Sequence, residues 1–158
     1  MTSKIKAVIF DLDGTLVDSE FFHFECWNEV LKLCNQMVSY KDYIMYHAGI
    51  SSPLNAIIFK EKYKLNITSE VLSKLKEKIT ENKLKTEDIK LMPSSIKTLE
   101  YFYKLKTPIF LVTGSSRNDL ESILEKVDIK KYFKFSITRN DVKKSKPHPE
   151  SYLKAIEK

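Results

Sequence analysis

Two continuous apolar runs, about one hundred residues apart, constrain the fold of this chain more than any other feature. Residues 7–10 (Ala-Val-Ile-Phe) and 109–112 (Ile-Phe-Leu-Val) contain no polar side chain, and each run ends at polar residues followed by a glycine. Strands that are covered on both faces, as in a parallel sheet, read as continuous apolar runs rather than as alternating patterns. The two runs therefore predict buried parallel strands, the first of which begins at Lys4 and ends at Phe10.

The C-terminal part of the chain shows the alternation of helices and strands that such a sheet requires. Pro93 opens one predicted helix, and Ser115 or Ser116 caps another directly after the second strand. Residues 134–138 predict a third strand, and residues 149–156 predict a last short helix. We therefore expect an α/β fold, a Rossmann-like three-layer core with a parallel sheet and right-handed crossovers.

The segment between the two apolar runs reads as entirely helical. Helices are predicted over residues 19–37, 40–46 and 54–63, and another opens at Thr68, whereas the highly charged residues 81–90 favour a linker. We therefore predict an all-helical cap, inserted into the core after its first strand. The predicted core comprises residues 1–17 and 89–158, and the predicted cap comprises residues 18–88.

The formal net charge of +6 does not by itself indicate nucleic-acid binding. Of 27 basic residues only Arg117 and Arg139 are arginine, the residue that base readout and bidentate phosphate recognition favour. The three glycines are too few and too scattered for a GxGxxG dinucleotide loop or a P-loop. We expect no specific nucleic-acid partner.

Membrane insertion and disulfide formation are not expected either. No apolar run approaches the ~20 residues of a membrane span, and no signal-peptide pattern opens the chain, which favours a cytoplasmic location. Cys26 and Cys34 lie eight residues apart on one predicted helix, about 12 Å along its axis and beyond disulfide reach. Both are expected in the core, as is Trp27, whereas His47 and His148 are expected to face solvent.

The ends of the predicted strands carry a set of groups that suits phosphoryl transfer. Asp11 and Asp13 are carboxylates of the kind that a hard cation such as Mg²⁺ binds. Thr113 and Gly114 offer a hydroxyl and a backbone N–H just before a helix, where an anion is stabilised. Lys146 would neutralise the charge of carboxylate and phosphate together. An isolated Asp-x-Asp pair is usually a turn, but this ordered combination predicts transfer through an aspartyl-phosphate.

Three motifs in this chain resemble, in the same order, those of one enzyme superfamily. Residues 11–19 (Asp-Leu-Asp-Gly-Thr-Leu-Val-Asp-Ser) closely resemble the first motif of the haloacid dehalogenase superfamily. Residues 112–116 (Val-Thr-Gly-Ser-Ser) resemble the second motif, and residues 146–149 (Lys-Pro-His-Pro) resemble the third. The helical segment resembles the cap of the β-phosphoglucomutase-like branch, whose H-x-x-x-W pattern His23 and Trp27 match.

The resemblance implies a role for each matching residue. Asp11 would be the nucleophile that attacks phosphorus and would also bind Mg²⁺. Asp13 would be the general acid and base, with its backbone carbonyl on the metal. In the cap, His23 and residues 49–52 would face the leaving group, and closure of the cap would exclude water. The implied phosphate-binding groups are the Thr113 hydroxyl, the Lys146 amine and the backbone N–H groups of Leu12, Asp13 and Gly114.

The fourth motif of the superfamily, an acidic pair after a further buried strand, has no counterpart after Lys146. Only Glu150 and Glu157 follow, and neither comes after a strand-like run. We therefore expect a core that is truncated on its C-terminal side and lacks the carboxylate that usually completes the Mg²⁺ site. We also expect residues 5–10 to present an unpaired apolar edge, which favours self-association.

The function that we expect is Mg²⁺-dependent hydrolysis of a phosphomonoester through phosphorylated Asp11. The expected substrate is a small phosphorylated metabolite of the sugar-phosphate type. One alternative is a phosphosugar mutase of the same family, because the sequence does not show whether the cap keeps water from the aspartyl-phosphate. The other alternative is a truncated, non-catalytic remnant that binds a phosphorylated ligand, or a partner chain through the open sheet edge.

Overall fold

The computed structural model describes residues 5–158, and Lys4, at which the first strand is predicted to begin, lies outside this range. The strands are β1 (Val8–Phe10), β2 (Val17–Asp18), β3 (Lys90–Leu91), β4 (Ile109–Val112) and β5 (Phe135–Ile137). The helices are α1 (Glu20–Lys32), α2 (Tyr40–Tyr46), α3 (Ser52–Tyr63), α4 (Ser69–Thr86), α5 (Ser95–Lys104), α6 (Arg117–Val127) and α7 (Glu150–Ile156). Short 3₁₀ turns cover Lys130–Tyr132 and Arg139–Asp141.

A parallel sheet in the order β1–β4–β5 forms the centre of the fold. Alternate residues of a strand point to opposite faces. Accordingly, Ile109 and Leu111 of β4 pack in one cluster with apolar residues of α5 and α6. Val112 packs on the other face, with Ile137 of β5 and Ala155 of α7. Helices therefore cover both faces of the sheet, and the predicted three-layer α/β fold is confirmed.

The first strand is shorter and less buried than its sequence predicts. Residues 5–7 are exposed and precede β1, and Val8, Ile9 and Phe10 are only half-buried. Within residues 5–158, β1 pairs with β4 along one edge, and no described strand pairs with its other edge. This agrees with the expected open edge, and self-association through it stays a prediction.

The helical segment has an apolar core of its own. Trp27 and Leu31 of α1 pack with Phe59 of α3 and Leu72 of α4, in a cluster separate from that of the sheet. The segment begins and ends at the antiparallel pair β2–β3, in which Val17 pairs with Leu91. This pair is absent from the sequence prediction, because strands of two residues carry no readable periodicity. The division into a core and a cap stays a prediction.

The linker predicted over residues 81–90 is wrong, because α4 continues to Thr86. Leu84 is buried against the sheet cluster, so the helix retains an apolar face through this charged stretch. On its polar face, the Lys83 amine lies 3.0–3.3 Å from carboxylate oxygens of Glu25, Glu29 and Glu87. Acid–base pairs along and between helices therefore stabilise a stretch that composition alone assigns to a linker.

The prediction for His47 is also wrong, whereas His148 is exposed as expected. His47 is 1% exposed and its ring stacks on Phe59, with 4.1 Å between ring centroids. Its Nδ1 lies 2.9 Å from the side-chain oxygen of Asn55, and burial lowers the pKa of His47. The Asn55 amide thus provides a partner inside the helical segment, so this histidine contributes to packing.

The cysteines and the longest helices bear on disulfide formation and on membrane insertion, neither of which the sequence favours. Cys26 and Cys34 are both free thiols; Cys26 is buried and Cys34 is half-buried. Between residues 5 and 158, none of the helices combines the length and the apolarity that crossing a membrane requires.

Candidate active site

A small cavity of about 50 Å³ lies where the carboxyl ends of β1 and β4 meet the helical segment. Since a water molecule needs about 10–15 Å³ of such volume, the cavity has room for about three to five waters. It can therefore hold an ion the size of phosphate. Residues 8–17 and 89–158 contribute Asp11, Asp13, Gly114, Ser115, Asp119, Arg139 and Lys146 to its wall. The helical segment contributes Glu20, His23, Trp27, Tyr43, Gly49, Ile50, Ser51, Ser52 and Lys76.

Asp11, the first residue after β1, is held next to the amine of Lys146. Lys146 Nζ lies 2.8 Å from Asp11 Oδ1 and donates to the backbone carbonyl of Val112 at 2.7 Å. The Leu12 N–H also donates to Asp11 Oδ1, at 2.7 Å. Lys146 is 9% exposed, so the ion pair is largely shielded from water on the lysine side. One oxygen of Asp11 is thus fixed by two donors at the cavity floor.

Asp13 receives more hydrogen bonds than any other carboxylate of the cavity wall. Its Oδ1 accepts from Ser19 Oγ at 2.7 Å and faces His23 Nε2 at 3.1 Å. Its Oδ2 accepts from Ser115 Oγ at 2.7 Å and from Thr113 Oγ1 at 3.3 Å. Burial opposes ionisation, but the hydrogen bonds from His23, Ser19 and Ser115 lower the pKa of Asp13 far below its usual value. Asp13 is therefore an ionised acceptor in this structure.

Behind Asp13, His23 and Lys76 continue a buried polar chain. Lys76 Nζ lies 3.1 Å from His23 Nδ1, and the other ring nitrogen, Nε2, faces Asp13. When Lys76 donates, Nδ1 must accept, and Nε2 then carries the proton that it donates to Asp13. Lys76 is 3% exposed, and burial lowers the pKa of its ammonium group. The chain connects α4 through α1 to the loop after β1.

Thr113 and Leu12 have protein partners in this arrangement. The Thr113 hydroxyl donates to Asp13 and accepts from the Ser115 N–H at 3.0 Å, and the residue is 1% exposed. The Leu12 N–H is bound to Asp11. Gly114 and Ser115 instead line the cavity, directly before α6, whose N-cap is Ser116. Contact of Thr113 and Leu12 with a phosphoryl group stays a prediction.

A third carboxyl group, Glu20, lies on the cavity wall at the start of α1. A β-carbon built on Gly14, whose φ is +67°, would lie 3.1 Å from Glu20 Oε1, so this carboxyl group adjoins the loop that carries Asp11 and Asp13. Burial, followed by the negative charges of Asp13 and Asp11, raises the pKa of Glu20 to about 7. Glu20 is therefore partly protonated near neutral pH.

Contacts across the cavity mouth join the loop after β5 to the helical segment. The guanidinium of Arg139 pairs with Glu77 of α4, and Ser145 Oγ lies 2.9 Å from Ser51 Oγ. The Arg139 side chain is 10% exposed, although that of Glu77 is 41% exposed. These contacts hold the two sides of the cavity together.

The structure gathers the predicted residues Asp11, Asp13, Thr113, Gly114 and Lys146, together with His23, around one cavity. It also places the predicted residues 49–52 on the wall opposite. The geometry adds four residues that were not predicted to lie at the site, namely Ser19, Glu20, Lys76 and Ser115. Ser19 and Ser115 belong to the quoted motifs, so their position next to Asp13 could have been inferred. Lys76, one of many lysines on an amphipathic helix, carried no signal.

A divalent cation at this site would have few protein ligands. Residues 5–158 contain no group of three or more His, Cys, Asp or Glu side chains placed to hold a metal ion. Mg²⁺ usually keeps several waters and takes one or two carboxylates plus substrate phosphate. Asp11 fits this mode. The hydrogen bond and the ion pair described for its carboxylate both involve Oδ1, so Oδ2 is the hard oxygen that could bind the cation. The residues present therefore fit Mg²⁺ bound with few protein ligands.

The fold and the cavity define the class of protein. A parallel α/β sheet presents a lysine-bound carboxylate and a second, ionised carboxylate at its carboxyl edge, where ligands of such sheets bind. A helical segment covers this edge and leaves room for a small anion. This arrangement is that of an α/β enzyme whose active site is built on carboxylates.

The chain belongs to the haloacid dehalogenase-like hydrolase family, whose model matches residues 8–158. A phosphorylated carbohydrates phosphatase of Thermotoga maritima is 27% identical over 98% of this chain and 70% of its own length. A Haemophilus influenzae protein of uncharacterised function is 30% identical, over 96% of this chain and 74% of its own. The crystal structure of CbbY from Rhodobacter sphaeroides with phosphate has a TM-score of 0.84 at 18% identity, over 98% of this chain and 72% of CbbY, and supports the fold. β-Phosphoglucomutase-like proteins are also among the structural neighbours. Together with the family match and the phosphatase relatives, this identifies the protein as a hydrolase of the phosphatase type.

Proposed function

We propose that this protein is a Mg²⁺-dependent phosphatase that transfers the phosphoryl group of a small phosphorylated metabolite to Asp11 and then to water. The observation that carries the proposal is the 2.8 Å contact between Lys146 and Asp11 at the floor of a cavity that can hold a phosphate-sized ion. The names of relatives support a sugar-phosphate type of substrate, since they include a phosphorylated carbohydrates phosphatase and a fructose-1-phosphate phosphatase.

In the first step, a carboxylate oxygen of Asp11 attacks phosphorus, an O–P bond forms, and the bond from phosphorus to the leaving oxygen breaks. Lys146 offsets the negative charge that the carboxylate and the phosphoryl group bring together. The backbone N–H of Gly114, before α6, would face the same anion. The N–H of Leu12 would join it when Asp11 turns toward phosphorus.

Asp13 would act as general acid in the first step and as general base in the second. In the resting structure it is ionised, which suits the second step, in which it accepts a proton from the water that attacks the aspartyl-phosphate. A bound phosphomonoester brings further negative charge next to Asp13 and so raises its proton affinity, which would allow Asp13 to take the proton of the substrate monoanion and pass it to the leaving oxygen. His23 and Lys76 would keep its carboxylate in a fixed orientation.

Mg²⁺ would be held by a carboxylate oxygen of Asp11 and by the backbone carbonyl of Asp13. When bound, it would neutralise charge on the phosphoryl oxygens. We also assign residues 18–88 the role of a cap that opens to admit substrate, because this segment lies over the carboxyl edge of the sheet and lines the cavity together with the core. Closure would then exclude bulk water from the reacting groups.

The direct test is phosphate release from a panel of phosphomonoesters at fixed Mg²⁺, compared between wild type and Asp11→Asn. We expect release by the wild type and a loss of at least about 1,000-fold in Asp11→Asn, which removes the nucleophile. Asp128→Asn is the matched control: this aspartate is 84% exposed at a left-handed φ of 49°, which asparagine tolerates. Equal rates in wild type and Asp11→Asn would refute the proposal, and a phosphorylated isomer in place of free phosphate would identify a mutase.

A further inference from the structure

Each cation on the wall of the cavity is already engaged by another group of the protein. Lys146 is bound to Asp11, Lys76 lies against the ring of His23, and Arg139 is paired with Glu77. Within the described chain, each basic side chain of the cavity wall therefore already has a protein partner, which is a carboxylate for Lys146 and Arg139. A carboxylate or a second phosphate on the leaving group would compete with these partners for the same cations.

The wall that the helical segment contributes carries an acidic group and several hydroxyls beside Lys76. Glu20 lies on this wall beside Gly14, whereas Asp119, which is 6% exposed, lies on the core side near α6. Tyr43, Ser51 and Ser52 add hydroxyl groups from the helical segment. Carboxylates accept hydrogen bonds from alcohols and repel anions, whereas hydroxyl groups can both donate and accept hydrogen bonds.

We propose that Glu20 is a specificity-determining residue that selects leaving groups bearing neutral hydroxyls and disfavours those bearing a carboxylate or a phosphate. The proposal rests on the proposed phosphatase function and narrows its substrates to phosphorylated polyols and sugars. Relatives of this chain are named for both classes, since they include a glycerol-1-phosphate phosphohydrolase and a phosphoglycolate phosphatase. The position of Glu20 favours the first class for this protein.

The geometry makes the effect of Glu20 local to the leaving group. Its carboxyl group reaches the loop of Asp11 and Asp13 from the cap side, next to Gly14, whereas Lys146 approaches Asp11 from the core side. A leaving group that departs toward the cap therefore passes Glu20, and a hydroxyl next to the ester oxygen can donate to it. When Glu20 is ionised, a carboxylate in the same place would meet a like charge in a partly desolvated site.

The test is the ratio of kcat/KM for glycerol 1-phosphate to kcat/KM for phosphoglycolate, measured with Mg²⁺ for the full chain. We expect wild type to prefer glycerol 1-phosphate. Glu20→Ala should lower the ratio by about tenfold or more, the factor that corresponds to the loss of one hydrogen bond to a charged group. Glu20→Gln keeps the shape and an acceptor oxygen but loses the charge, so its ratio should lie between the two. Glu29→Ala, also on α1 but half-exposed and outside the cavity, should keep the wild-type ratio.

Other outcomes separate this inference from the function on which it rests. A wild type that prefers phosphoglycolate, or a ratio that Glu20→Ala and Glu20→Gln both leave unchanged, overturns the role of Glu20 while the phosphatase function stands. Equal losses of kcat/KM on both substrates would indicate a structural effect and likewise overturn it. Failure of the wild type to release phosphate from either ester overturns the phosphatase function and the inference together.

Discussion

Replacing His23 by alanine should destabilise the protein, because this residue is the middle of a buried polar chain. Its Nε2 lies 3.1 Å from Asp13 Oδ1 and its Nδ1 lies 3.1 Å from Lys76 Nζ. The His23 side chain is 10% exposed and Lys76 is 3% exposed, so water cannot readily replace the lost ring. Alanine removes the bond to Asp13 and leaves the Lys76 amine without the ring that it contacts.

The size of the effect follows from these two losses. A hydrogen bond to a charged group contributes about 1.5–3 kcal/mol, and a buried polar group left without a partner costs about 1–3 kcal/mol. Since the losses share one network and are not additive, we expect the free energy of unfolding to fall by about 3 kcal/mol. For a chain of this size that corresponds to a decrease in Tm of roughly 6–12 °C.

The assay is urea-induced unfolding, followed by circular dichroism, of wild type, His23→Ala, Lys76→Met and the double variant. Methionine removes the buried amine, so the double variant should be more stable than the sum of the two single losses by at least about 1 kcal/mol. His148→Ala, which changes an exposed histidine, should stay within about 0.5 kcal/mol of wild type. A loss below about 0.5 kcal/mol for His23→Ala, or strictly additive losses, would refute the role given to the chain.

Two further predictions concern Gly14 and Glu20. Gly14 (φ +67°) and Gly49 (φ +73°) both have left-handed backbones, so alanine at either position should lower the free energy of unfolding in urea by about 1–2 kcal/mol. Only Gly14→Ala would also displace Glu20, and it should therefore change the ratio of kcat/KM between glycerol 1-phosphate and phosphoglycolate. The raised pKa of Glu20 means that the folded state binds a proton at Glu20 more tightly than the unfolded state does. The contribution of Glu20 to the free energy of unfolding is therefore full below pH 4.5 and is lost as the pH rises through about 7. In buffers with EDTA, Glu20→Gln should therefore gain stability relative to wild type between pH 5 and pH 8, and a relative stability that does not vary with pH would contradict this.

The sheet and the pairing of Asp11 with Lys146 could be predicted because local sequence signals determine them. Continuous apolar runs predicted β1 and β4, and a parallel sheet brings the carboxyl ends of its strands to one edge. Asp11 follows one strand and Lys146 follows the turn after another, so their 2.8 Å contact over a long stretch of chain follows from topology.

Features that depend on packing between elements could not be predicted. The charge pattern of residues 81–90 resembles a linker until Leu84 is seen to be buried and Lys83 to pair with α1. His47 is polar in the sequence, and only its contact with Asn55 makes its burial favourable. Lys76 contacts His23 across 53 positions of the sequence, between two helices whose packing no local pattern specifies.

The central claim is that the carboxylate of Asp11 becomes phosphorylated. The most direct measurement quenches the protein during turnover of a phosphomonoester with Mg²⁺, reduces it with borohydride, and locates the modified residue by peptide mass spectrometry. An aspartyl-phosphate at position 11 is reduced to homoserine, so we predict this conversion at Asp11 in the presence of substrate and at no other aspartate. Substrate turnover without conversion at Asp11, or conversion at Asp13 in its place, would contradict the account.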